Sequence, residues 1–303
     1  MSYAVSQVVK AVVAQPSQIL NALGLVAVEL YILGNVYDSA EKIIEESGGK
    51  ENPYATTSWE IPLIITAIYL VGVVFLGQKY FANRSPMNVE GYMLVYNFYQ
   101  TVFNIWSVAS FAQEIYRRGL PFAGTLYKPG REEAKLGFII YCHYQNKFIE
   151  LLDTVFMVVR KKNDQVSFLH VWHHTIMSWS WLAVLWVNPG GDAYFGSLLN
   201  SFIHVVMYSY YLLSALKLPC PWKKYVTMMQ LTQFAVIFVQ GWYAIYLGST
   251  PTALVLLQQF VMVNMLVLFG KFYADSYSSK GKKKATPSSD GSGQADPFTK
   301  KQE

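Results

Sequence analysis

The side chains best suited to chemistry in this sequence are five histidines, which all fall within residues 143–204. Three of them form the run His170-Val-Trp-His173-His174, while His143 precedes the run and His204 follows it. A neutral imidazole can move protons near pH 7, attack an activated carbonyl or bind a metal ion. The histidines therefore predict a catalytic or metal-binding site.

Three charged residues, Lys147, Glu150 and Asp153, lie shortly before the histidine run. They fall inside a segment apolar enough to be buried in a membrane. A charge in that position costs about 2.5–3.5 kcal/mol on insertion scales and usually marks a functional site. We expect Glu150 or Asp153 to orient a histidine ring, and Lys147 to balance these carboxylates or to meet an anionic substrate.

The elements that position these residues are predicted to be membrane-spanning helices. The chain has 303 residues, of which 53% are hydrophobic and 14% are charged, whereas soluble domains carry about 25% charged residues. The net charge is +5, but the basic residues punctuate apolar runs and form no single basic face, so we expect no nucleic-acid partner. We predict an all-α polytopic membrane protein.

Seven segments are long and apolar enough to cross about 30 Å of hydrocarbon. They are residues 61–80, 91–113, 136–159, 166–187, 193–216, 225–247 and 251–270. Residues 18–36 are also apolar, but they contain Glu29 and precede an acidic stretch, so we predict an interfacial or packed helix there. The predicted organisation is a lumenal or interfacial segment over 1–60, a membrane domain over 61–273 and a disordered basic cytosolic tail over 274–303.

The polar residues of these spans fall on one face of each predicted helix. In the third span, one face carries His143, Asn146, Lys147, Glu150, Asp153 and Thr154, within about 60° of one direction. Polar groups in hydrocarbon must face protein or water. We therefore predict that helices 2–7 form a six-helix barrel around a polar catalytic tunnel. The first helix has almost nothing polar beyond Thr66 and is predicted to pack outside this barrel.

The lysines and arginines indicate the orientation of the predicted bundle. Most of them lie on the same side as the C-terminus, which the positive-inside rule places in the cytosol. The chain ends in Lys300-Lys301-Gln302-Glu303, which resembles the dilysine retrieval signal of endoplasmic reticulum membrane proteins, an address read by a receptor. We therefore predict a multi-pass protein of the endoplasmic reticulum membrane.

Three kinds of protein remain open on the residues alone. Di-iron desaturases and hydroxylases use histidine runs of this kind, but five histidines are few for two coordination spheres, and a single-metal site with Glu150 is also conceivable. A metal-free enzyme would use a neutral imidazole as the nucleophile toward a thioester. A non-enzymatic seven-helix transporter or receptor would use the same residues as a proton relay.

Four motifs together resemble the very-long-chain fatty-acid elongases, the membrane 3-ketoacyl-CoA synthases. They are Lys147-Phe-Ile-Glu150-Leu-Leu-Asp153-Thr154, His170-Val-Trp-His173-His174, Asn200-Ser-Phe-Ile-His204-Val-Val-Met207-Tyr208-Ser-Tyr-Tyr211 and Thr227-Met-Met-Gln230-Leu-Thr-Gln233. They occur in the family's order within residues 88–273. The sequence around the histidine run is most similar to that of polyunsaturated fatty-acid elongases of algae and protists.

The resemblance implies a cofactor-free condensation of acyl-CoA with malonyl-CoA, in which a histidine carries the acyl group and 3-ketoacyl-CoA, CoA and CO2 are formed. The implied catalytic residues are His173 as the nucleophile, with His204, His174, His170, Glu150 and Asp153. The implied substrate-binding residues are Lys147, Asn200, Tyr208, Gln230, Gln233, Arg160, Lys161 and Lys162, although the three basic residues of the last group also fit the positive-inside rule alone.

The resemblance also implies partners. Besides membrane lipid, they are the ketoacyl-CoA reductase, the dehydratase and the enoyl reductase of the elongation cycle. The sequence leaves the oligomeric state open, with a homodimer as one option.

Overall fold

The computed structural model describes the backbone of residues 3–284 and the side chains of residues 3–275, and the regular secondary structure in this part of the chain is entirely helical. The helices are α1 (Tyr3–Ala14), α2 (Pro16–Glu46), α3 (Glu60–Ala67), a π-helix (Ile68–Gly77), α4 (Gln78–Ala82), α5 (Glu90–Arg118), α6 (Arg131–Ile149), α7 (Leu152–Val159), α8 (Phe168–Val187), α9 (Ala193–Ala215), α10 (Val226–Leu247) and α11 (Thr252–Lys284). Helices therefore occupy all seven segments predicted as spans.

Four of the described helices are long and apolar enough to cross a membrane by length and composition. They are Pro16–Glu46, Glu60–Ala82, Ala193–Ala215 and Thr252–Asp275. The helices at the other predicted spans carry polar side chains along their inner faces, such as Asn97, Gln100 and Asn104 in α5. We attribute their lower hydropathy to these inner faces. The fold is that of a polytopic membrane protein.

The third predicted span is two helices rather than one. Helix α6 ends at Ile149 and α7 begins at Leu152, and the backbone N–H of Asp153 donates to the carbonyl of Glu150 at 3.1 Å. Such a bond closes a 3₁₀-type turn, which advances each residue further around the axis than an α-helix does. The single polar face predicted for this span is therefore divided after Glu150.

Six helices contact one another in a closed order, each packing against the next: α5, α9, α10, α11, α8, α6 and again α5. Helix α6 also contacts α9 across this arrangement. The helix formed by α3, the π-helix and α4 packs on α7 and α8. Its Tyr69 is only 2% exposed, and the Tyr69 hydroxyl lies 3.0 Å from Thr154 Oγ1. The sequence predicted Thr66 as almost the only polar residue of this helix, and the Tyr69 hydroxyl adds a second polar contact to the bundle.

The apolar core lies between the predicted lumenal halves of these helices. Its fully buried members include Phe111, Leu136, Ile140, Leu182, Leu185 and Met265. Glycines in the left-handed conformation end two of the helices, Gly119 after α5 and Gly248 after α10, a conformation that glycine adopts without steric cost.

The predicted boundary between the membrane domain and the tail falls within a helix. Helix α11 continues to Lys284, past the predicted boundary at residue 273, because extending a helix that is already anchored requires little further ordering. The dilysine pair Lys300-Lys301 and the rest of the predicted tail lie outside the described residues.

Candidate active site

The centre of the candidate site is Glu150, at the end of α6. Its Oε1 lies 2.7 Å from Lys147 Nζ, and the same Nζ donates to Asn200 Oδ1 at 3.0 Å. His204 Nδ1 lies 3.1 Å from Glu150 Oε1, although the ring is not aligned for a hydrogen bond. All four residues are buried. The fold thus brings together Lys147, Glu150, Asn200 and His204, as the sequence predicted.

The Lys147–Glu150 pair is fully desolvated, since the two side chains are 2% and 1% exposed. Two charges removed from water stabilise a fold only when their geometry and hydrogen bonds are good, and removing one partner of such a pair costs about 3–5 kcal/mol. A pair retained in this setting is typical of a functional site.

Two amide side chains, Asn146 of α6 and Gln100 of α5, hold the Glu150 carboxylate through a chain of hydrogen bonds. Asn146 Nδ2 donates to Glu150 Oε1 at 3.1 Å, and Gln100 Nε2 donates to Asn146 Oδ1 at 3.0 Å. Asn104 Nδ2 donates in turn to the Gln100 carbonyl at 2.8 Å. These bonds connect α5 to α6 and restrict the position of the carboxylate. The polar face of the third predicted span included Asn146, but the role of Asn146 and Gln100 as supports of Glu150 was not predicted.

The histidine run lies at the start of α8. The hydroxyl of Ser167 caps this helix by accepting from the backbone N–H of His170, and His170 Nε2 lies 2.8 Å from Thr154 Oγ1 on α7. The ring centroids of His170 and His174 are 4.4 Å apart, and those of His173 and His174 are 5.3 Å apart. The three imidazoles therefore form one cluster, as expected from their shared helix face.

His143 stands apart from that cluster. Its Nδ1 lies 3.3 Å from Ser201 Oγ, and its ring packs edge-on against Trp181 with centroids 4.7 Å apart. The residue is 1% exposed. These contacts place His143 between α6, α8 and α9 as a packing element.

Asp153 belongs to a second polar group, separated from Glu150 by the break between α6 and α7. Tyr208 donates its hydroxyl to Asp153 Oδ2 at 3.0 Å, and the Tyr96 hydroxyl lies 3.2 Å from that of Tyr208. The Tyr208 ring also packs edge-on against His204, with centroids 5.6 Å apart. Tyr208 therefore connects Asp153 to His204. Tyr96 was missed because nothing in its sequence context separates it from the other tyrosines.

An apolar cavity begins at His173 and extends toward the predicted lumenal end of the bundle. His173, Asn200 and Gln233 line one end, and Asn188, Asp192 and Thr250 line the other. Between them the walls are formed by Met177, Trp181, Val184, Phe234 and Ile237. Along α8 the lining runs from His173 to Asn188, a rise of about 22 Å. An elongated apolar cavity of this kind suits an acyl chain.

Gln230 does not line this cavity, although the sequence predicted it beside Gln233. Its Nε2 contacts Met207 Sδ at 3.8 Å. Gln233 lies almost one helical turn further along α10 and is 4% exposed. The two positions differ by about 60° around the helix axis, and this difference is enough for Gln230 to face Met207 of α9 while Gln233 faces the cavity.

The three basic residues after α7 have different surroundings. Arg160 lines a small cavity together with Asp153, Tyr96 and Gln165. Lys161 is exposed, and its Nζ donates to the carbonyl of Ala82 at 2.9 Å, which connects the loop to the end of α4. Lys162 is half-buried beside it. Of the three, Arg160 alone lines that cavity beside the polar groups of the site.

Among the side chains of residues 3–275, no group of three or more histidine, cysteine, aspartate or glutamate residues is arranged to hold a metal ion. At the site, Glu150 Oε1 lies 3.1 Å from His204 Nδ1. The arrangement combines a buried ion pair, clustered imidazoles and an apolar cavity that starts at one of them.

A protein-family model described as "ELO: GNS1/SUR4 family" matches residues 54–285 of the chain. "Very long chain fatty acid elongase 5" from Xenopus tropicalis is 38% identical over 224 residues, which cover 72% of this chain and 75% of that protein. The human protein of the same description is 36% identical over 228 residues, 73% of this chain and 76% of that protein. Every residue of the candidate site lies inside the matched region, and helices α1 and α2 lie outside it.

Proposed function

The chain belongs to the ELO (GNS1/SUR4) family, and from that premise we propose that it carries an acyl group on His173 during fatty-acid elongation. It is a very-long-chain fatty-acid elongase, an acyltransferase of the 3-ketoacyl-CoA synthase kind, so the resemblance in the motifs is confirmed. One observation carries the proposal: of the five histidines, His173 is the one that lines the apolar cavity.

In the first half-reaction, the acyl chain of an acyl-CoA lies in the cavity with its thioester at His173. A ring nitrogen of His173 attacks the thioester carbonyl, the carbon–sulfur bond breaks, and the CoA thiolate leaves. The proton lost from the second ring nitrogen passes through the neighbouring His174 to the thiolate, so that neutral CoA and an acyl-imidazole remain. Burial of the cluster favours this chemistry, because desolvation keeps imidazoles neutral and therefore nucleophilic.

In the second half-reaction, malonyl-CoA loses CO2 and the resulting enolate attacks the acyl carbon. The new carbon–carbon bond forms as the carbon–nitrogen bond to His173 breaks. The ring nitrogen released in this step takes up one proton, which restores the neutral imidazole. The products are 3-ketoacyl-CoA and CO2, with CoA already released. Asn200 and Gln233, which line the cavity beside His173, are placed to donate hydrogen bonds to the oxygen that gains negative charge.

Glu150 and His204 act together in this proposal. Glu150 lies within 3.1 Å of His204 Nδ1 and would stabilise a protonated ring when His204 takes up or releases a proton. Lys147 and Asn146 hold the carboxylate in place. Tyr208, which donates to Asp153, packs edge-on against the His204 ring, and Arg160 lies beside this group, where it can meet a CoA phosphate.

We further propose that α5 to α11 form the six-span barrel, with the α3–α4 helix as the outer span, and that the site faces the cytosol. The closed order of helix contacts supports this arrangement. The chain is a multi-pass membrane protein. An endoplasmic reticulum location, the dilysine signal, a homodimer and association with the reductases and dehydratase that would process a 3-ketoacyl-CoA all stay predictions.

We also propose a preference for polyunsaturated acyl chains, which the polar side chains in the walls of the cavity support. Ser180, Trp181 and Thr250 line this cavity, and their buried side-chain atoms Oγ, Nε1 and Oγ1 have no hydrogen-bond partner among the described residues. A saturated chain leaves such donors unused, whereas a carbon–carbon double bond presents π electrons that can accept a weak hydrogen bond. This supports the preference suggested by the likeness to algal and protist elongases.

The test uses purified protein, an acyl-CoA and labelled malonyl-CoA. Wild-type protein should release labelled CO2 and form 3-ketoacyl-CoA, and without malonyl-CoA it should accumulate a protein-bound acyl group. His173→Ala should abolish this acylation, while His143→Gln, a change in a buried histidine outside the cavity lining, should retain it.

Undiminished acylation of His173→Ala would place the acyl group on another residue. A complete absence of condensation over a range of chain lengths would instead favour the transporter or receptor alternative. Stoichiometric iron in the active protein would support the desaturase or hydroxylase alternative.

A further inference from the structure

Helix α2, residues Pro16–Glu46, precedes the part of the chain that the family model matches. We propose that α2 is an additional membrane span, in contact with α5 and α6, and that it places α1 on the cytosolic side of the membrane. The inference rests on the proposed bundle, in which α5 crosses the bilayer from the cytosol to the lumen. It replaces the lumenal placement of residues 1–60 predicted from the sequence.

The start of α2 is fixed beside the start of α5. Gln18 Nε2 donates to the carbonyl of Asn88 at 2.9 Å, and the backbone N–H of Gly91 donates to Gln18 Oε1 at 3.0 Å. The second bond satisfies one of the free N–H groups in the first turn of α5. A Cβ at Gly91 would lie 2.8 Å from those of Gln15 and Gln18, so the glycine permits this close approach. The start of α2 therefore lies at the predicted cytosolic face.

The middle of α2 stays in contact with the bundle. Leu33 forms one buried cluster with Phe103 of α5 and Cys142 of α6. Further along, the rings of Tyr37 and Phe138 pack edge-on with centroids 4.9 Å apart. Successive residues of α2 meet later positions in α5 and earlier ones in α6, so α2 runs parallel to α5 and antiparallel to α6.

The end of α2 lies at the opposite face of the bundle. Glu45 Oε1 is 3.4 Å from Arg131 Nη2, at the first residue of α6. The end of α5 is at the same level, because Arg118 pairs with Glu133 at 2.6 Å. From Gln18 to Glu45 the helix rises by about 40 Å, which exceeds the roughly 30 Å of hydrocarbon in a bilayer. Helix α2 therefore covers the same depth as α5.

The outer face of α2 is apolar and uncovered. Only 11% of its most apolar stretch of 18 residues is buried. Its exposed large side chains are Leu20, Leu23, Leu25, Val28, Leu30, Tyr31 and Ile32. Soluble proteins rarely expose a contiguous apolar surface of this size. The acidic Glu29 is half-buried rather than on the fully exposed side. The chemistry that fits this surface is that of lipid acyl chains.

The charges at both ends agree with this direction. Lys10 of α1 would join the basic residues on the cytosolic side, which strengthens the positive-inside bias. The acidic stretch Asp38–Glu51 would lie at the end of α2 on the lumenal side, where acidic residues have little influence on orientation.

Four matched lysine-to-cysteine variants test the proposal in a Cys220→Ser background. Lys10→Cys and Lys50→Cys report the two ends of α2, while Lys217→Cys and Lys128→Cys serve as cytosolic and lumenal references. All four lysines are exposed. Sealed, cytosol-side-out microsomes are treated with a membrane-impermeant maleimide before and after permeabilisation.

We expect Lys10→Cys to react before permeabilisation, together with Lys217→Cys, and Lys50→Cys to react only afterwards, together with Lys128→Cys. Reaction of Lys10→Cys and Lys50→Cys on the same side of the membrane would overturn the proposal. If the two references react on the same side, the proposed bundle, on which the inference rests, is itself wrong. The readout needs no substrate, so its outcome is independent of the proposed reaction.

Discussion

Replacing Lys147 by methionine should destabilise the protein strongly, because it leaves the Glu150 carboxylate buried without a cation. The Lys147 and Glu150 side chains are 2% and 1% exposed, and Nζ lies 2.7 Å from Oε1. Breaking a buried ion pair by removing one partner costs about 3–5 kcal/mol. Each kcal/mol shifts the melting temperature of a chain of this size by about 2–4 °C, so Lys147→Met should lower Tm by about 6–20 °C.

The double variant Lys147→Met/Glu150→Gln separates charge from packing. It removes both charges and keeps the approximate volume of both side chains, so it should recover at least half of the lost Tm. The Asn146 amide can still donate to the side-chain carbonyl that the second substitution introduces in place of the carboxylate. Activity should be absent in both variants. The substrate loses Lys147 in each of them, and in the double variant His204 also loses its carboxylate neighbour.

The measurement is thermal unfolding of the purified variants in one detergent at fixed pH, with condensation activity recorded in parallel. A protonated His204, 3.1 Å from Glu150, could replace the missing lysine charge. Lys147→Met should therefore be closer to wild type at pH 6 than at pH 8. The Glu150→Gln single variant is measured alongside them. The view of a coupled and desolvated pair is refuted if Lys147→Met is as stable as wild type at pH 8. It is refuted as well if the decrease in Tm of the double variant equals the sum of the decreases in the two single variants.

Three further outcomes are expected. Tyr208→Phe removes the hydroxyl that donates to Asp153 and should lower kcat/KM about 10- to 150-fold, the equivalent of about 1.5–3 kcal/mol for a hydrogen bond to a charged group; unchanged kinetics would remove this bond from the mechanism. Trp181→Phe should reduce the preference for a polyunsaturated over a saturated acyl-CoA of equal length about 2- to 5-fold, since a weak hydrogen bond contributes about 0.5–1 kcal/mol, and a constant ratio of the two kcat/KM values would contradict it. At the end of the bundle that we propose to be lumenal, the hydrogen bond from Arg117 holds the pKa of the Glu132 carboxyl below its ordinary value, so its small contribution to stability is present above the unfolded pKa and is lost as the pH falls through the folded one. Wild type and Glu132→Gln should therefore differ slightly in Tm at pH 7 and converge near pH 3, and a difference that grows in acid would be evidence against the pairing.

The site was predicted well where the residues share one regular helix. His170, His173 and His174 lie on one face of α8, and Lys147 and Glu150 are one turn apart, so helical periodicity alone brought the members of each group together. Prediction was weaker where the helix is not regular. The turn at Glu150 and Leu151 moves Asp153 away from Glu150 and toward Tyr208, and apolar periodicity carries no signal for such a turn.

Contacts between helices were harder to infer than the helices themselves. Tyr69 and Tyr96 reach the site from other helices, and the chain has 22 tyrosines, most of which are ordinary core or interface residues. Gln230 was expected beside the site through its motif, but the rotation of α10 places Gln233 there. The orientation of a helix about its own axis depends on all of its neighbours, and no single segment contains that information.

Composition and periodicity act locally along the chain, so they were enough to predict a helical membrane protein with a buried histidine and carboxylate site. The order of four motifs was enough to indicate the family. The packing of the helices was needed to show that His173 lines the apolar cavity, how Glu150 and Asp153 are separated, and that α2 extends along the full length of α5. These features depend on distances between segments far apart in the chain, and such distances arise only when the helices pack together.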